Sequence, residues 1–227
     1  MMEEKLWRFR PVTGPPEGIR AYYNRVYSGN GMGESDRFYE WILDLLAPSV
    51  GEMLADVCCG SGGLMRVAAR RGIRCAGIDV SDRALREARS VTPAGRFSTA
   101  YGEALPWKDG SFRYLTSLGS LEHYLDPLGG VREMARVLAP GGTCLVMVPN
   151  SFYSGDIWRV VRTGVGPDHH QDPQRFATSQ EWKALLEEGG LRVTQILRYN
   201  KFKWWKSLLP FNLSYCFIYL CARAVKP

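Results

Sequence analysis

The sequence predicts an α/β fold built on a mostly parallel sheet covered on both faces. From Glu52 to Asn150, short and continuously apolar runs alternate with segments of helical composition. Strands that are apolar throughout are those buried on both sides, as in parallel sheets. A glycine-rich stretch, Asp56-Val-Cys-Cys-Gly60-Ser-Gly62-Gly63, falls where the first run gives way to a helix. The 227 residues are 45% hydrophobic and 23% charged, which suits one soluble globular unit and excludes a disordered chain, a collagen-like fibre and a coiled coil.

The elements follow in order. Pro11–Glu17 reads as a lead-in loop, and Gly18–Tyr27 and Ser35–Leu46 read as helices. In the second, Phe38, Trp41, Ile42 and Leu45 share one face, and Pro48 ends it. Met53–Cys58 is the first strand and Leu64–Arg71 the helix after the glycine loop. Arg74–Val80 is the second strand, with Ser81 and Asp82 offering N-cap chemistry to a helix that runs to about Ser90. Arg96–Ala100 and Phe112–Leu118 follow as strands. Asp126–Leu138 is an amphipathic helix, broken by Pro140-Gly141-Gly142 before the strand Thr143–Val148. Ser151–Phe176 reads as irregular and Ser179–Glu188 as a helix. Leu191–Leu197 and Ser214–Ala224 read as two closing strands.

Charge is distributed unevenly. The formal net charge is +6, yet residues 1–150 hold 18 basic and 17 acidic side chains, against 11 and 6 in residues 151–227. The six cysteines form no spaced CxxC pair and several fall in apolar runs. They are read as reduced, buried thiols, which suggests a cytoplasmic setting. Met1–Arg10 lacks the apolar core of a signal peptide, and no apolar run approaches the ~20 residues of a membrane span. Trp and Lys crowd residues 202–211, which leaves room for a weak peripheral membrane contact there.

Glycines at a strand-to-helix turn let backbone approach a ligand, and the helix N-terminus offers free N–H groups to it. Asp79 ends the second strand, where a carboxylate can accept hydrogen bonds from both hydroxyls of a ribose. An adenosine-type ligand fits this pair of features. A nicotinamide dinucleotide fits less well, because the third glycine of its fingerprint falls on Met65.

On these residues the chain resembles the class I S-adenosylmethionine-dependent methyltransferases, of the type 11-like domain. Leu54–Leu64 with Gly77-Ile-Asp-Val is similar to that family's first motif and the acidic motif after it. Glu103–Phe112, Ser117–Pro127 and Glu133–Asn150 are similar to its later motifs, and Thr178–Val193 to its late helix and strand. The resemblance implies a Rossmann-like, doubly wound, three-layer sandwich with a seven-stranded sheet whose last strand is antiparallel. It implies one domain over residues 1–227: a helical cap (1–50), a cofactor-binding core (51–150), and a substrate-side insertion with closing strands (151–227).

The resemblance also implies S-adenosylmethionine as cofactor, with S-adenosylhomocysteine as product, and a role for particular residues. Asp56, Cys58, Gly60, Ser61 and Gly62 would surround the methionine part, Asp79 would hold the ribose, and Val80, Gly102 and Glu103 would flank the adenine. Leu118 would follow the fourth strand beside the methionine. Tyr22, Tyr23 and Tyr27 would lie where the N-terminal region closes over the cofactor, with Tyr22 and Tyr23 preferred as contacts. Three positions depart from the family pattern: Cys58 stands for the first loop glycine, Tyr101 for an acid that reads adenine, and Arg113 for an aspartate.

Methyl transfer from a sulfonium needs alignment above all, and a base only where the nucleophile must lose a proton. The candidate bases are Glu122 and His123 after the fourth strand, and His170 beside His169 in a polar loop. No metal is expected, since Gly119 stands where metal-using relatives carry a further acid. The expected partner is a small-molecule acceptor methylated on O, N or C. A cofactor-binding module without catalysis is the alternative reading. A nucleic-acid substrate is disfavoured because Ser117-Leu-Gly-Ser-Leu replaces the usual Asn/Asp-Pro-Pro motif. Monomer and homodimer are both left open.

Overall fold

The computed structural model describes residues 9–11, 16–29, 32–151, 154–164, 174–200 and 216–224. Seven strands form one sheet: β1 (Met53–Val57), β2 (Arg74–Asp79), β3 (Arg96–Thr99), β4 (Phe112–Leu118), β5 (Leu138–Val148), β6 (Leu191–Tyr199) and β7 (Cys216–Arg223), in the order β3-β2-β1-β4-β5-β7-β6. The pairs from β3 to β5 are parallel, and β7 runs antiparallel to both β5 and β6. This is the doubly wound, Rossmann-like arrangement. Strand order reverses on either side of β1, and a crevice opens there beyond the carboxyl ends of the strands.

Among the described residues the helices are α1 (Pro16–Val26), α2 (Asp36–Leu46), α3 (Gly63–Arg70), α4 (Asp82–Val91), α5 (Pro127–Val137), α6 (Ser154–Thr163) and α7 (Ser179–Glu188), and a 3-10 turn covers Leu121–His123. Side-chain alternation along the strands builds two cores. Ala55, Val57, Val146 and Val148 pack with Val131 and Met134 of α5 and Trp182 of α7. Leu54, Leu145 and Met147 point the other way, onto Phe38 and Ile42 of α2 and Leu64 and Val67 of α3.

The helix ends explain why the elements stop where they do. Ser35 Oγ accepts the Phe38 N–H at 3.3 Å, and α2 closes with Ala47 in the left-handed region before Pro48. Ser81 Oγ accepts the Ala84 N–H at 3.1 Å to start α4. Thr178 and Glu181 form a reciprocal capping box at α7. That box sets the fully buried Trp182, whose indole N–H donates to Pro149 O at 2.9 Å and ties α7 to the end of β5.

Two expectations need correction. Ser151–Phe176 is not irregular throughout, because Ser154–Thr163 forms α6. Its two-turn apolar pattern is bounded by Gly155 and Gly164, which hid the period. Pro140-Gly141-Gly142 does not precede β5 but lies inside it. Pro140 cannot donate to the ladder and Gly141 has φ +72°, so the register against β4 slips between Phe112 and Tyr114 and the strand resumes.

Candidate active site

Strands β1, β2, β4 and β5 end around one cleft of about 320 Å³, within the usual range for a small-molecule site. At the end of β1, Asp56 is buried and accepts the Thr116 hydroxyl at 2.7 Å. Burial pushes its carboxyl up to about 7 against that hydrogen bond, and the Asp79 charge adds to the rise.

Two residues later the chain turns left-handed at Cys58, with φ +59°. A side chain there costs about 1–2 kcal/mol relative to glycine. The thiol occupies the cleft wall, with Sγ 3.5 Å from the Tyr124 hydroxyl. Burial raises the thiol pKa, so it stands there as a neutral wall group. Cys58→Gly would relieve the turn, but it would also lose the thiol contact and add about 0.5–1 kcal/mol of unfolded-chain entropy. These terms nearly cancel. Urea unfolding should therefore place Cys58→Gly within about 1 kcal/mol of wild type, while the β-branched Cys58→Val should lose more than about 2 kcal/mol. Equal losses for both variants would contradict a backbone-governed position.

Gly60 has φ +53°, and a Cβ on it would meet the Tyr27 hydroxyl at 2.5 Å. Its N–H donates to Asp79 Oδ2 at 2.9 Å, while Ser81 N–H donates to Oδ1 at 2.8 Å. Asp79, 5% exposed, thus locks the glycine loop to the β2–α4 turn. Burial raises its pKa, and the N–H groups of Ser81, Gly60 and Val80 oppose that rise. Gly62 serves packing. It has φ +81°, and a Cβ would sit 3.0 Å from Ala88 of α4.

Tyr124 forms the cleft's inner wall. Its ring is 5% exposed and fits only because Gly102 and Gly130 lack side chains: a Cβ would meet the ring at 2.1 Å and 2.3 Å respectively. Glu103 lines the same wall, but its Oε1 accepts the Leu125 N–H at 2.7 Å, so the carboxylate holds the chain after Tyr124.

The 3-10 turn after β4 brings Glu122 and His123 to the cleft. Glu122 is 5% exposed, and its Oε2 has no hydrogen-bond partner among the described residues. Its Oε1 lies 3.9 Å from His123 Nε2. Burial pushes the carboxyl up to about 8. Arg175 fixes the turn from behind: its N–H donates to Glu122 O at 3.0 Å, and its guanidinium donates to the carbonyls of Tyr124, Leu125 and Arg10.

Helix α1 closes the cleft from above. Asn24 Oδ1 accepts Ser81 Oγ–H at 2.8 Å, Arg83 Nε donates to Tyr27 O at 2.8 Å, and Arg20 pairs with Asp82. Tyr23 reaches His123 edge-on, with ring centroids 6.4 Å apart. Burial raises the hydroxyl pKa of both Tyr23 and Tyr27, so both are neutral donors.

A methyltransferase-domain family model matches residues 55–146. The ubiquinone biosynthesis O-methyltransferase of Albidiferax ferrireducens is 38% identical over 109 residues, which are 45% of this chain and 43% of that protein. Its counterpart in Ralstonia nicotianae is 38% identical over 172 residues, 71% of this chain and 72% of the relative. The chain belongs to the class I S-adenosylmethionine-dependent methyltransferase family. Among solved structures, the [4+2]-cyclase SpnF superposes with a TM-score of 0.71 at 18% identity, covering 96% of this chain and 99% of SpnF, which is a likeness of fold. The match to the Albidiferax protein spans less than half of that protein's length.

In this methyltransferase domain the cleft gathers Tyr23, Asp56, Cys58, Gly60, Asp79, Val80, Gly102, Glu103, Leu118, Glu122 and His123. Ser61, Gly62 and Tyr22 lie outside its lining. Tyr22 instead packs edge-on against Tyr23, at 5.2 Å between ring centroids. Tyr27, passed over in favour of Tyr22, lines the cleft. His169 and His170 lie outside the described residues, as does the 202–211 stretch. Tyr124 and Arg175 had no signal of their own in the sequence. Tyr124 is found only when Gly102 and Gly130 are brought together around it, and Arg175 only through the turn it holds. Among the described residues, no three His, Cys, Asp or Glu side chains are grouped as a metal ion would require.

Proposed function

We propose that this protein transfers the methyl group of S-adenosylmethionine to a small-molecule acceptor, and that a hydroxyl oxygen of the acceptor receives it. The carrying observation is that Asp79 and the Glu122–His123 pair line one cleft, at the ends of β2 and β4 respectively. The lining suits the cofactor. Gly60 and Gly102 let Tyr27 and Tyr124 close on the cleft wall, and Asp79 is a buried carboxylate at the end of β2, the position expected for the ribose. Asp79 would hold the ribose hydroxyls, the Cys58–Gly60 backbone would flank the methionine part, and Val80 would pack on the adenine. Bound there, S-adenosylmethionine supplies an electrophilic methyl group whose thioether leaving group needs no proton.

The chain's own task is then to orient the acceptor and take its proton. Glu122, with its carboxyl near 8 and an unpartnered Oε2, is matched to a phenol-like hydroxyl of pKa about 10. His123 lies beside it as the second group able to carry the proton. Tyr23, against His123, keeps water from that side. Both curated relatives named above are O-methyltransferases, which supports oxygen as the acceptor atom.

The likeness to a cyclase favours one other reading, a bound cofactor without methyl transfer. The test is incubation with methyl-labelled S-adenosylmethionine and a panel of mono- and dihydroxylated aromatic acceptors at pH 8–9. Label in a methyl ether is expected. Label only in amine acceptors, or binding of the cofactor with no label transferred to any acceptor, would overturn the reading.

A further inference from the structure

The 3-10 turn that carries Glu122 and His123 runs on into Tyr124, Leu125 and Asp126, and two opposite charges grip those residues. Glu103 Oε1 accepts the Leu125 N–H at 2.7 Å and the Asp126 N–H at 3.4 Å. The Arg175 guanidinium donates to Tyr124 O and, at 3.4 Å, to Leu125 O. Tyr124 O and the Leu125 N–H belong to one peptide group, and Leu125 O and the Asp126 N–H to the next. In a trans peptide the C=O and N–H point in opposite directions. Each of these two peptide groups therefore stands between a cation at its oxygen and a carboxylate at its N–H. Hydrogen bonds to charged partners are roughly twice as strong as neutral ones, and bonds in series polarise one another.

Arg175 is itself anchored. It is buried, its backbone N–H donates to Glu122 O at 3.0 Å, and its guanidinium reaches Arg10 O at 3.3 Å. Beside Arg10, the buried ring of Phe9 packs on Trp182 with ring centroids 4.8 Å apart. Two residues past Arg175, Ala177 bridges to Asn150 just beyond β5, and its carbonyl accepts the Ser151 N–H at 3.2 Å. The guanidinium thus stands on a fixed base. Its planar fork of donors serves the carbonyls of Tyr124, Leu125 and Arg10 together, a geometry that the compact ammonium of a lysine does not reproduce. On the other side of the turn, Glu103 lines the cleft.

We propose that Arg175 and Glu103 are positioning residues that act as one clamp, fixing through these two peptide groups the turn that presents Glu122 and His123 to the acceptor. The proposal rests on the reading of Glu122 as the base. It gives Glu103 a task apart from the adenine edge expected of it. A reacting group displaced by about 1 Å costs about 10²-fold in rate. A turn released from the clamp therefore keeps its base and loses its aim.

The test combines turnover with hydrogen exchange on the full chain. Arg175→Ala should lower kcat at least about tenfold with little change in the acceptor KM. Its affinity for S-adenosylhomocysteine should match wild type, since Arg175 does not line the cleft. Arg175→Lys keeps the charge without the fork and should recover part of the loss, and it carries the test where the alanine variant fails to fold. Glu103→Gln alone should also slow turnover. Added to Arg175→Ala it should cost less than about twofold more, because the turn is already released. Amides of residues 120–126 should exchange faster in both Arg175 variants than in wild type, while those of β1 and β2 keep their rates. Unchanged exchange across 120–126, losses that multiply in the double variant, or an acceptor KM that rises with kcat intact would overturn the clamp. A wild type that transfers no methyl group would overturn the proposed function and leave the exchange comparison to decide the clamp, so the two can fail separately.

Discussion

Asp79→Ala should weaken binding of S-adenosylhomocysteine by on the order of 10²–10⁴-fold. Each hydrogen bond to a charged acceptor contributes about 1.5–3 kcal/mol, and two ribose hydroxyls would lose theirs together. The fold should weaken as well. Gly60 and Ser81 donate their N–H groups to this carboxylate, and the variant would leave both buried donors unpaired at about 1–3 kcal/mol each. Asp79→Asn separates the two effects. It keeps the shape and one acceptor oxygen, so it should lose less stability while still binding at least about tenfold more weakly. Calorimetric titration beside urea unfolding reads both quantities. Destabilised variants with wild-type affinity would show that Asp79 only holds the loop and does not meet the ribose.

Glu122→Gln should lower kcat by about 10²–10⁴-fold, the usual contribution of a positioned base, with cofactor affinity unchanged. The pH profile is the sharper readout. The wild-type carboxyl sits near 8, so the proton-accepting form is scarce below that pH and kcat should climb as pH rises through about 8. The glutamine variant should lack that limb. Stability moves the opposite way. The folded state binds this proton more tightly than the unfolded chain does, so Glu122 favours folding most at acid pH and loses that contribution as pH rises from about 4.5 through about 8. The variant should show a flatter stability curve across that window. A variant with wild-type kcat and an intact alkaline rise would remove Glu122 as the base and leave His123 to carry the role.

The half of the cleft proposed to hold the cofactor was legible in the sequence because backbone demands dictate residue type there. A buried parallel strand is mainly apolar, as Met53–Val57 is except at Asp56, and a loop turning left-handed at Gly60 and Gly62 calls for glycine. Ser35 and Ser81 announce their helices because a hydroxyl cap satisfies N–H groups that nothing else would. Cys58 was visible as a departure from the family's glycine, and its φ of +59° is the left-handed turn that glycine would favour there.

The half proposed to hold the acceptor was less legible because long-range packing sets it. Tyr124 occupies its wall only because Gly102 and Gly130, 28 residues apart in sequence, are brought together around the ring. Arg175 reaches the Glu122 turn from beyond β5, which no local period reports. The preference for Tyr22 over Tyr27 turned on helix rotation. The ties from Asn24 to Ser81 and from Tyr27 O to Arg83 set that rotation and present Tyr23 and Tyr27 to the cleft. Helix α6 escaped because its apolar pattern spans only two turns between Gly155 and Gly164, too short for a period to stand out.

The account rests on the cleft at the ends of β1 and β2 being a nucleoside site. The most direct test is calorimetric titration of the wild-type chain with S-adenosylhomocysteine. One saturable site is predicted, with a dissociation constant of about 10 µM or tighter, competed by S-adenosylmethionine. No saturable heat up to about 1 mM ligand, from a chain shown to be folded by its unfolding transition, would contradict it.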